Sequence, residues 1–562
     1  MAEVARPSQN QNERAVRRTP GWFDERLDIG ALYRKYGRKA FPVHSTFFFG
    51  EMALFAFVIL VLTGTYLAFI YVPSNADVTV NGETVPEAFA SVQLIESIPV
   101  ANLFRNVHHW AAHVMVASIL LHTLRIFLSG TYRKPREINW IIGVVLLLLT
   151  LGAAFYGYGL PYDSYAVTAT GIGYEIARSI PWVGDVVSEL AFGGTFPTLG
   201  SLSRMFALHV FVIPLLIMGA VGVHLLVIVK QKHSQPGYAR RLAEPGKVLG
   251  VPLWPYQALL ALQLLLVMFG VLCLLSAFVP PHPLSAFGPP TPETPEVKPD
   301  WYLMWIYGML RIIPPDVSFS LFGTTIDPTF IGGVLFPMVF FGFLFAVPFL
   351  DRTNRQVYGT YEYLEPLRQV PVRLAVSAAT LVFLAALCLA AFYDKYDLSL
   401  TEIWAIVVAA PVVAGSAVYV IGRRFEPAHR FDTRSSDVRV APEAPPTPLV
   451  EPLHPAPAPT RAPAPAGVSV AAPLPLPDER GKRGFMPFPT VAERGERALD
   501  NVVTSLHELG ELAPLVRQTD DPDELLEILT YIESVRAGLA DSNQTLIGVV
   551  RSEEELDRSR ER

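Results

Sequence analysis

Eight long apolar stretches constrain this chain more than any other feature of its sequence. Each has about the 20 predominantly apolar residues that a helix needs to cross the hydrocarbon core of a bilayer. Because only 17% of the 562 residues are charged, a uniformly water-soluble protein is excluded. The sequence therefore predicts an all-α, polytopic membrane protein with eight transmembrane helices. The stretches lie at 47–71, 107–129, 138–158, 205–229, 256–279, 330–350, 371–393 and 403–422.

The distribution of lysine and arginine indicates how these helices are oriented. Basic residues precede the first stretch and follow the second, fourth, sixth and eighth, whereas the first and last of the other connections are acidic. Connections rich in lysine and arginine stay on the cytoplasmic side of a membrane. We therefore expect both termini to be cytoplasmic. The polar, Arg-rich segment 1–46 has no short apolar core with a cleavage site, so it is not expected to be a signal peptide.

Four histidines lie inside two of the predicted helices, where an ionisable side chain is costly and marks a functional site by default. His108 and His122 are 14 residues apart, and His209 and His224 are 15 apart. In ideal helices these steps place the second imidazole about 40° from the face of the first, or about 60° off in the other sense. Both steps rise by about 21–22 Å. Two helices therefore offer an upper and a lower imidazole at matching heights.

Facing imidazoles across a helix bundle are what bis-histidine haem ligation requires. We expect His108 with His209 to hold one haem near the non-cytoplasmic face, and His122 with His224 to hold a second near the cytoplasmic face. The alternative for any single histidine is a hydrogen bond to a neighbouring helix. His109 and His113 lack partners at a similar interval, and we interpret both as packing or loop-contact residues. No CxxCH attachment motif is present, so the haems would be b-type.

Cations and glycines near the histidines fit the same interpretation. Arg105, Arg125 and Arg204 are candidate partners of the haem propionates, although cations at the ends of membrane helices also extend to the interface. Two glycine pairs repeat the 14-residue interval and would leave room for a flat porphyrin. Glycine is also common in ordinary contacts between membrane helices. The pairs are Gly50 with Gly64 and Gly143 with Gly157.

With these features, the chain resembles cytochrome b, the quinol-oxidising membrane subunit of cytochrome bc complexes. The resemblance covers about residues 40–425 and includes GYGLP at 157–161, SIPWVGD at 179–185 and PDWY at 299–302. The segments FFFGEMAL, HHWAAH and RKPREINW are most similar to the menaquinol-oxidising complexes of actinobacteria.

The resemblance implies a bifurcated quinol oxidation with proton translocation, known as the Q cycle. One electron would pass to a Rieske iron–sulfur protein and the other through two b haems to a quinone near the cytoplasmic face. The implied setting is a homodimeric complex in a bacterial plasma membrane, with menaquinone as the quinone. A c-type cytochrome subunit and a terminal oxidase are further partners implied, and no nucleic acid is.

The resemblance also implies residues for quinol oxidation. The family motif usually reads Pro-Glu-Trp-Tyr, and here Asp300 replaces the glutamate beside Tyr302. A carboxylate near a quinol hydroxyl can accept its proton. The alternative role for Asp300 is to cap a helix that begins at Trp301. Tyr158 matches a tyrosine of the family's oxidation pocket, and Asp163 is a second candidate proton acceptor.

For quinone reduction, relatives place cationic or histidine residues just after the fourth helix and an acid before the fifth. Here Lys230 and His233 follow the fourth helix, and Gln257 stands where some relatives have aspartate. The alternative explanation for the cations is anchoring on the cytoplasmic side.

These observations divide the chain into five predicted segments. Two competing functions remain open from sequence: a di-haem membrane anchor of a quinone-linked dehydrogenase, which needs neither PDWY nor the last four helices, and a transporter with incidental histidines. Residues 491–562 hold 17 acidic and 8 basic side chains, and their leucine periodicity predicts a helical tail. The segments are a cytoplasmic N-terminal segment 1–46, a di-haem four-helix bundle 47–230, a C-terminal four-helix membrane domain 231–425, a Pro/Ala-rich linker 426–489 and an acidic helical tail 490–562.

Overall fold

The computed structural model divides the chain into two compact units, one formed by 1–39 with 438–562 and the other by 40–437. Apart from a few positions, the predicted linker and the predicted acidic tail lie outside the described residues, and so does most of the predicted N-terminal segment. The described residues are 26, 37, 39–42, 44–194, 196, 200–237, 239, 248, 250–281, 284, 298–351, 361–427 and 532.

Within these residues, eight helices are long and apolar enough to cross a membrane, which confirms the predicted number and the helical fold class. The second helix begins at Pro99 rather than at the predicted 107. Proline is favoured in the first turn of a helix, and the helix continues outward past its apolar stretch. In chain order, the first to eighth spans are Ser45–Ala68, Pro99–Leu128, Glu137–Gly159, Ser201–Gln231, Leu253–Phe278, Pro328–Leu350, Pro371–Ala390 and Leu400–Arg424.

Shorter helices occupy the long connections between spans. The connection after the third span holds two helices and the one after the fifth holds another, as their length suggested. A fourth lies between the first two spans. The helices are Glu87–Ser97, Ser164–Arg178, Gly184–Phe192 and Met304–Ile312.

Three short antiparallel strand pairs, which the sequence did not predict, complete the described secondary structure. The pair β2–β3 turns through Asn81 and Gly82, both with positive φ, which is the turn that favours Asn-Gly in hairpins. The pair β1–β4 joins the residues before the first span to those before the fifth, with Ala40 opposite Pro252. The strands are β1 Ala40–Phe41, β2 Asp77–Val80, β3 Glu83–Pro86, β4 Val251–Pro252, β5 Phe319–Leu321 and β6 Thr324–Ile326.

Two apolar clusters form the interior. The first span packs on the second and the third on the fourth, and the fifth span adds to the cluster between them, which includes Ile59, Met115 and Leu272. The second cluster includes Trp305 and Leu387 and joins the third span to the later helices. The second and fourth spans therefore each have a different packing partner, and their histidines meet across the bundle.

Candidate functional site

The upper pair, His108 of the second span and His209 of the fourth, is brought together as the sequence predicted. The two ring centroids are 6.1 Å apart. His209 Nδ1 lies 2.8 Å from the Ala153 carbonyl oxygen, and because a carbonyl can only accept, this nitrogen carries the proton. His209 Nε2 is therefore left with the lone pair that a metal ligand needs.

A hydroxyl fixes His108 in the same way. Thr63 Oγ1 donates to the Ile59 carbonyl at 2.7 Å and lies 2.9 Å from His108 Nδ1. Since the hydroxyl proton goes to Ile59, the hydroxyl accepts from His108 Nδ1–H. Both rings of the upper pair thus present an unprotonated Nε2.

The lower pair, His122 and His224, has the same arrangement one level further along the bundle. Its ring centroids are 6.5 Å apart, with planes at 71°. Among the described residues, the buried His122 Nδ1 has no hydrogen-bond partner. An unpartnered buried polar atom is unfavourable in an apolar bundle, so this end is incomplete without a further group.

A π-helical turn explains how a 14-residue step can face a 15-residue step. Residues Leu208–Val212 form this turn, in which the N–H of Ile213 bonds to the carbonyl of Leu208, five residues earlier. A turn of this kind accommodates one extra residue, so the step from His209 to His224 advances like one of 14. The expected offset of about 60°, which assumed an ideal helix, is therefore wrong. Pro214, which lacks an N–H, follows directly and favours such an irregularity.

The four predicted glycines each face one of the four histidine rings. A Cβ on Gly64 would lie 2.9 Å from His108, one on Gly50 would lie 3.1 Å from His122, and one on Gly143 would lie 3.9 Å from His224. A Cβ on Gly157 would overlap the ring of His209. The expectation of room for a porphyrin stays a prediction. What the structure places against each glycine is an imidazole.

Adding a methyl group at Gly157 should therefore disturb the upper pair specifically. We expect Gly157→Ala to weaken haem binding there by about 1–3 kcal/mol, the usual cost of overpacking a tight site. The matched control is Gly222→Ala in the fourth span, where a Cβ would meet nothing within 4 Å. The measurement is b-haem content and the redox titration of each purified variant. A full complement of haem with unchanged potentials in Gly157→Ala would contradict this assignment.

Among the candidate propionate partners, Arg125 is the one with unused capacity. Its guanidinium lies 4.3 Å from the centroid of the Phe47 ring, and Nε donates to Thr46 Oγ1 at 3.3 Å. Its buried NH2 group has no partner among the described residues. Burial and the neighbouring Arg125 charge lower the pKa of His44, whose Nδ1 accepts from the Thr46 N–H and hydroxyl. This end of the bundle therefore has a cation that can meet an anion.

The other two arginines already have partners. Arg105 forms an ion pair with Glu96 at 3.0 Å and lines the upper cavity described below. Arg204 donates to the carbonyls of Glu189 and Leu190 at 3.0 and 3.1 Å, where it offsets the negative end of the helix Gly184–Phe192. A propionate role for Arg204 stays a prediction.

A cavity of 540 Å³ connects the upper pair to the residues predicted for quinol oxidation. The hydroxyl of Tyr302 donates to Asp300 Oδ2 at 2.8 Å. Burial and the Asp300 carboxylate raise the pKa of the Tyr302 phenol, so the phenol stays a donor. The lining includes both histidines of the upper pair and all four predicted catalytic residues, Asp300, Tyr302, Tyr158 and Asp163.

The structure separates the two roles considered for these aspartates. The helix after PDWY begins at Met304 and has no side-chain cap, so the alternative that Asp300 caps a helix beginning at Trp301 is wrong. Asp163, in contrast, does cap a helix, because its Oδ1 accepts the N–H of Ala166 at 2.9 Å. Its role as a proton acceptor stays a prediction.

At the lower end, the structure adds a residue that the sequence reasoning missed. Gln257 Nε2 donates to Glu51 Oε1 at 2.7 Å, and Glu51 Oε2 is buried with no partner among the described residues. Lys230 is exposed, and the ring of His233 lies 4.8 Å from that of Phe41, in strand β1. The signal for Glu51 was available, because it is the single charged residue in 47–71.

Comparison with known proteins agrees with this geometry. The family described as cytochrome b (N-terminal)/b6/petB matches residues 113–289, and cytochrome b (C-terminal)/b6/petD matches 290–406. The cytochrome bc1 complex cytochrome b subunit of Mycobacterium tuberculosis is 34% identical over 72% of this chain and 75% of its own length. That of Streptomyces coelicolor is 33% identical over 71% and 76%.

A solved structure described as "Hyperthermophilic respiratory Complex III" has the same fold. Its TM-score is 0.54 at 24% identity, with 72% of this chain and 98% of that chain covered. Because the C-terminal family match includes the last membrane helices, the dehydrogenase-anchor and transporter alternatives are wrong. The chain belongs to the cytochrome b family, as a multi-pass, haem-binding membrane subunit of the quinol–cytochrome c oxidoreductases called cytochrome bc1 complexes.

Proposed function

We propose that this chain oxidises quinol in a respiratory bc complex and divides the two electrons between a Rieske iron–sulfur protein and two b haems, with proton translocation in a Q cycle. The observation that carries the proposal is the shared cavity, in which the upper histidine pair and the Asp300–Tyr302 pair line one space. A quinol bound there would have a proton acceptor and an electron acceptor within the same pocket.

The residues present fit two bis-histidine haems. His108 with His209 would hold one and His122 with His224 the other, since both pairs face each other at 6.1 and 6.5 Å. The glycines opposite the rings and the unpartnered Arg125 NH2 group support the same assignment. When bound, the haems supply one-electron carriers at two levels of the bundle.

Asp300 is the residue we assign to proton removal from quinol. It would accept a proton from a quinol hydroxyl as a general base, while Tyr302, kept protonated, holds the carboxylate in place through its 2.8 Å hydrogen bond. Tyr158, which lines the same cavity, would orient the quinol. Asp163 would be a second acceptor on the route away from the site.

At the lower end, we assign proton donation during quinone reduction to Glu51. A buried carboxyl group with one unpartnered oxygen is favoured in its protonated form, and Gln257 holds it beside the start of the fifth span. Lys230 and His233 would contact quinone or its water from the end of the fourth span. Neither relies on the acid that some relatives have at Gln257.

Glu51→Gln should accordingly slow quinone reduction by about 10²-fold, the lower range for loss of a general acid. The measurement is the rate at which the pre-reduced complex reduces 2,3-dimethyl-1,4-naphthoquinone. Glu83→Gln, in the exposed β2–β3 hairpin, is the control and should match the unmodified protein. Equal rates in Glu51→Gln and the control would remove Glu51 from the site.

The remaining features of the proposal concern surroundings. Lysine and arginine placement supports cytoplasmic termini in a bacterial plasma membrane, and the actinobacterial bc1 relatives support menaquinol as substrate. We propose a homodimeric assembly with Rieske and c-type cytochrome subunits, and with a terminal oxidase as the onward acceptor.

The proposed function is tested on the purified complex. We expect a reduced-minus-oxidised b-type spectrum with two redox waves of similar size, copurification of a Rieske protein, and cytochrome c reduction driven by 2,3-dimethyl-1,4-naphthoquinol. A complex with two b haems that binds a Rieske protein but does not oxidise this quinol would overturn the proposal.

A further inference from the structure

We infer that His113 is a positioning residue for quinol oxidation, which holds the Asp300–Tyr302 pair in place by binding the indole of Trp301. The inference rests on the proposed function, because it assumes that quinol is oxidised in the upper cavity. His113 belongs to the second span, and the segment 298–303 that contains PDWY follows the fifth. The contact therefore joins the quinol-oxidation loop to the helix that carries His108.

The hydrogen bonding of His113 has a defined direction. Trp301 Nε1 lies 3.0 Å from His113 Nδ1, and an indole N–H can only donate. His113 Nδ1 must therefore be unprotonated, and the ring proton of the neutral imidazole is on Nε2. That nitrogen lies 3.1 Å from His109 Nε2, which consequently accepts. One donor-only group thus determines the tautomers of both imidazoles.

This tautomer places the indole between the two residues that matter for proton removal. Trp301 is flanked in sequence by Asp300 and Tyr302, and the Tyr302 hydroxyl bonds the Asp300 carboxylate. The Tyr302 ring centroid also lies 5.9 Å from that of His113. The backbone N–H groups of Leu303 and Met304 bond the Asp300 carbonyl. A displacement of Trp301 would therefore shift Asp300 and Tyr302 together.

A simple packing role for His113 would not require this chemistry. The Trp301 side chain is 45% exposed, so burial alone does not fix its orientation, and a directional hydrogen bond does. His113 itself lines the cavity together with Asp300 and Tyr302. It is therefore close enough to set the loop without being the proton acceptor.

The test is a double-mutant cycle on the assembled complex. His113→Leu removes the acceptor and Trp301→Phe removes the donor. Each should lower kcat for 2,3-dimethyl-1,4-naphthoquinol by about three- to tenfold, the range for one hydrogen bond, with little change in KM. The double variant should be no slower than either single variant, because both remove the same interaction. His113→Asn, whose amide oxygen lies near the position of Nδ1, should restore most of the activity.

A second readout does not depend on turnover. Hydrogen–deuterium exchange of the segment 298–303 should be faster in His113→Leu and Trp301→Phe than in the unmodified complex, and close to normal in His113→Asn. Trp110→Phe is the matched control, since its indole on the same helix bonds the Val279 carbonyl instead. Haem content and both midpoint potentials should be unchanged in all these variants.

The possible outcomes separate this inference from the proposed function. If the unmodified complex does not oxidise quinol, the proposed function fails. If it does, but Trp301→Phe matches it in kcat and in exchange, or the two substitutions are additive, the positioning role of His113 is wrong. Should His113→Leu not assemble, Trp301→Phe and His113→Asn still decide the question.

Discussion

His122→Ala is expected to reduce the b-haem content of the purified protein from two per chain to one and to remove one of two redox waves. The ring of His122 faces His224 at 6.5 Å, and a bis-histidine haem that loses one axial imidazole loses half of its protein ligation. The upper pair has its own supports, Thr63 and Ala153, so it should keep its haem. The measurements are pyridine haemochrome content and potentiometric titration.

Companion variants make this result specific. His224→Ala should remove the same wave, whereas His108→Ala or His209→Ala should remove the other. His109→Ala is the control for an imidazole on the same helix, since its ring contacts His113 at 4.6 Å between centroids, and it should leave two haems. If His122→Ala retains both waves, the ligand assignment of the lower pair is wrong.

Asp300→Asn is expected to lower quinol-dependent cytochrome c reduction by about 10²–10⁴-fold, the contribution typical of a positioned general base. Asparagine keeps the shape and can still accept from the Tyr302 hydroxyl, but it cannot take a proton from quinol. Asp300→Glu, which restores the usual family residue, should retain most of the activity. Steady-state kinetics with 2,3-dimethyl-1,4-naphthoquinol and a full haem spectrum provide the measurement.

The control for this substitution is Asp316→Asn, an exposed aspartate in the connection after the helix Met304–Ile312. It makes the same change of charge at the other end of that helix, and it should not alter turnover. Activity of Asp300→Asn within a few fold of this control would show that another group accepts the proton. Asp163, which lines the same cavity, would then be the next candidate.

The membrane helices and the haem histidines could be predicted because their signals are local in the chain. About 20 apolar residues in a row identify a span whatever surrounds it, and all eight spans were found. The spacing of 14 and 15 residues could be read directly from His108, His122, His209 and His224. Short apolar strands such as β2 and β3 were missed, because two to four residues have too little periodicity to predict a strand.

The sequence also could not predict the phase of the fourth span. A count of residues gives an angle only if every turn is α-helical, and the π-helical turn at Leu208–Val212 breaks that assumption. Pro214 marks the irregularity in the sequence, but a proline does not specify whether a helix kinks, ends or takes in an extra residue. Only the backbone hydrogen bond from Ile213 to Leu208 decides among these.

The sequence by itself determined what is embedded in the membrane and which imidazoles are available, because hydropathy and spacing are properties of single segments. The tertiary structure decided which polar group meets which: Gln257 with Glu51, Trp301 with His113, and Arg204 with a helix end rather than with the cavity. These contacts join residues up to 206 positions apart. A hydrogen bond forms between atoms about 3 Å apart, and no pattern within one helix specifies the atom that a distant helix brings to that distance.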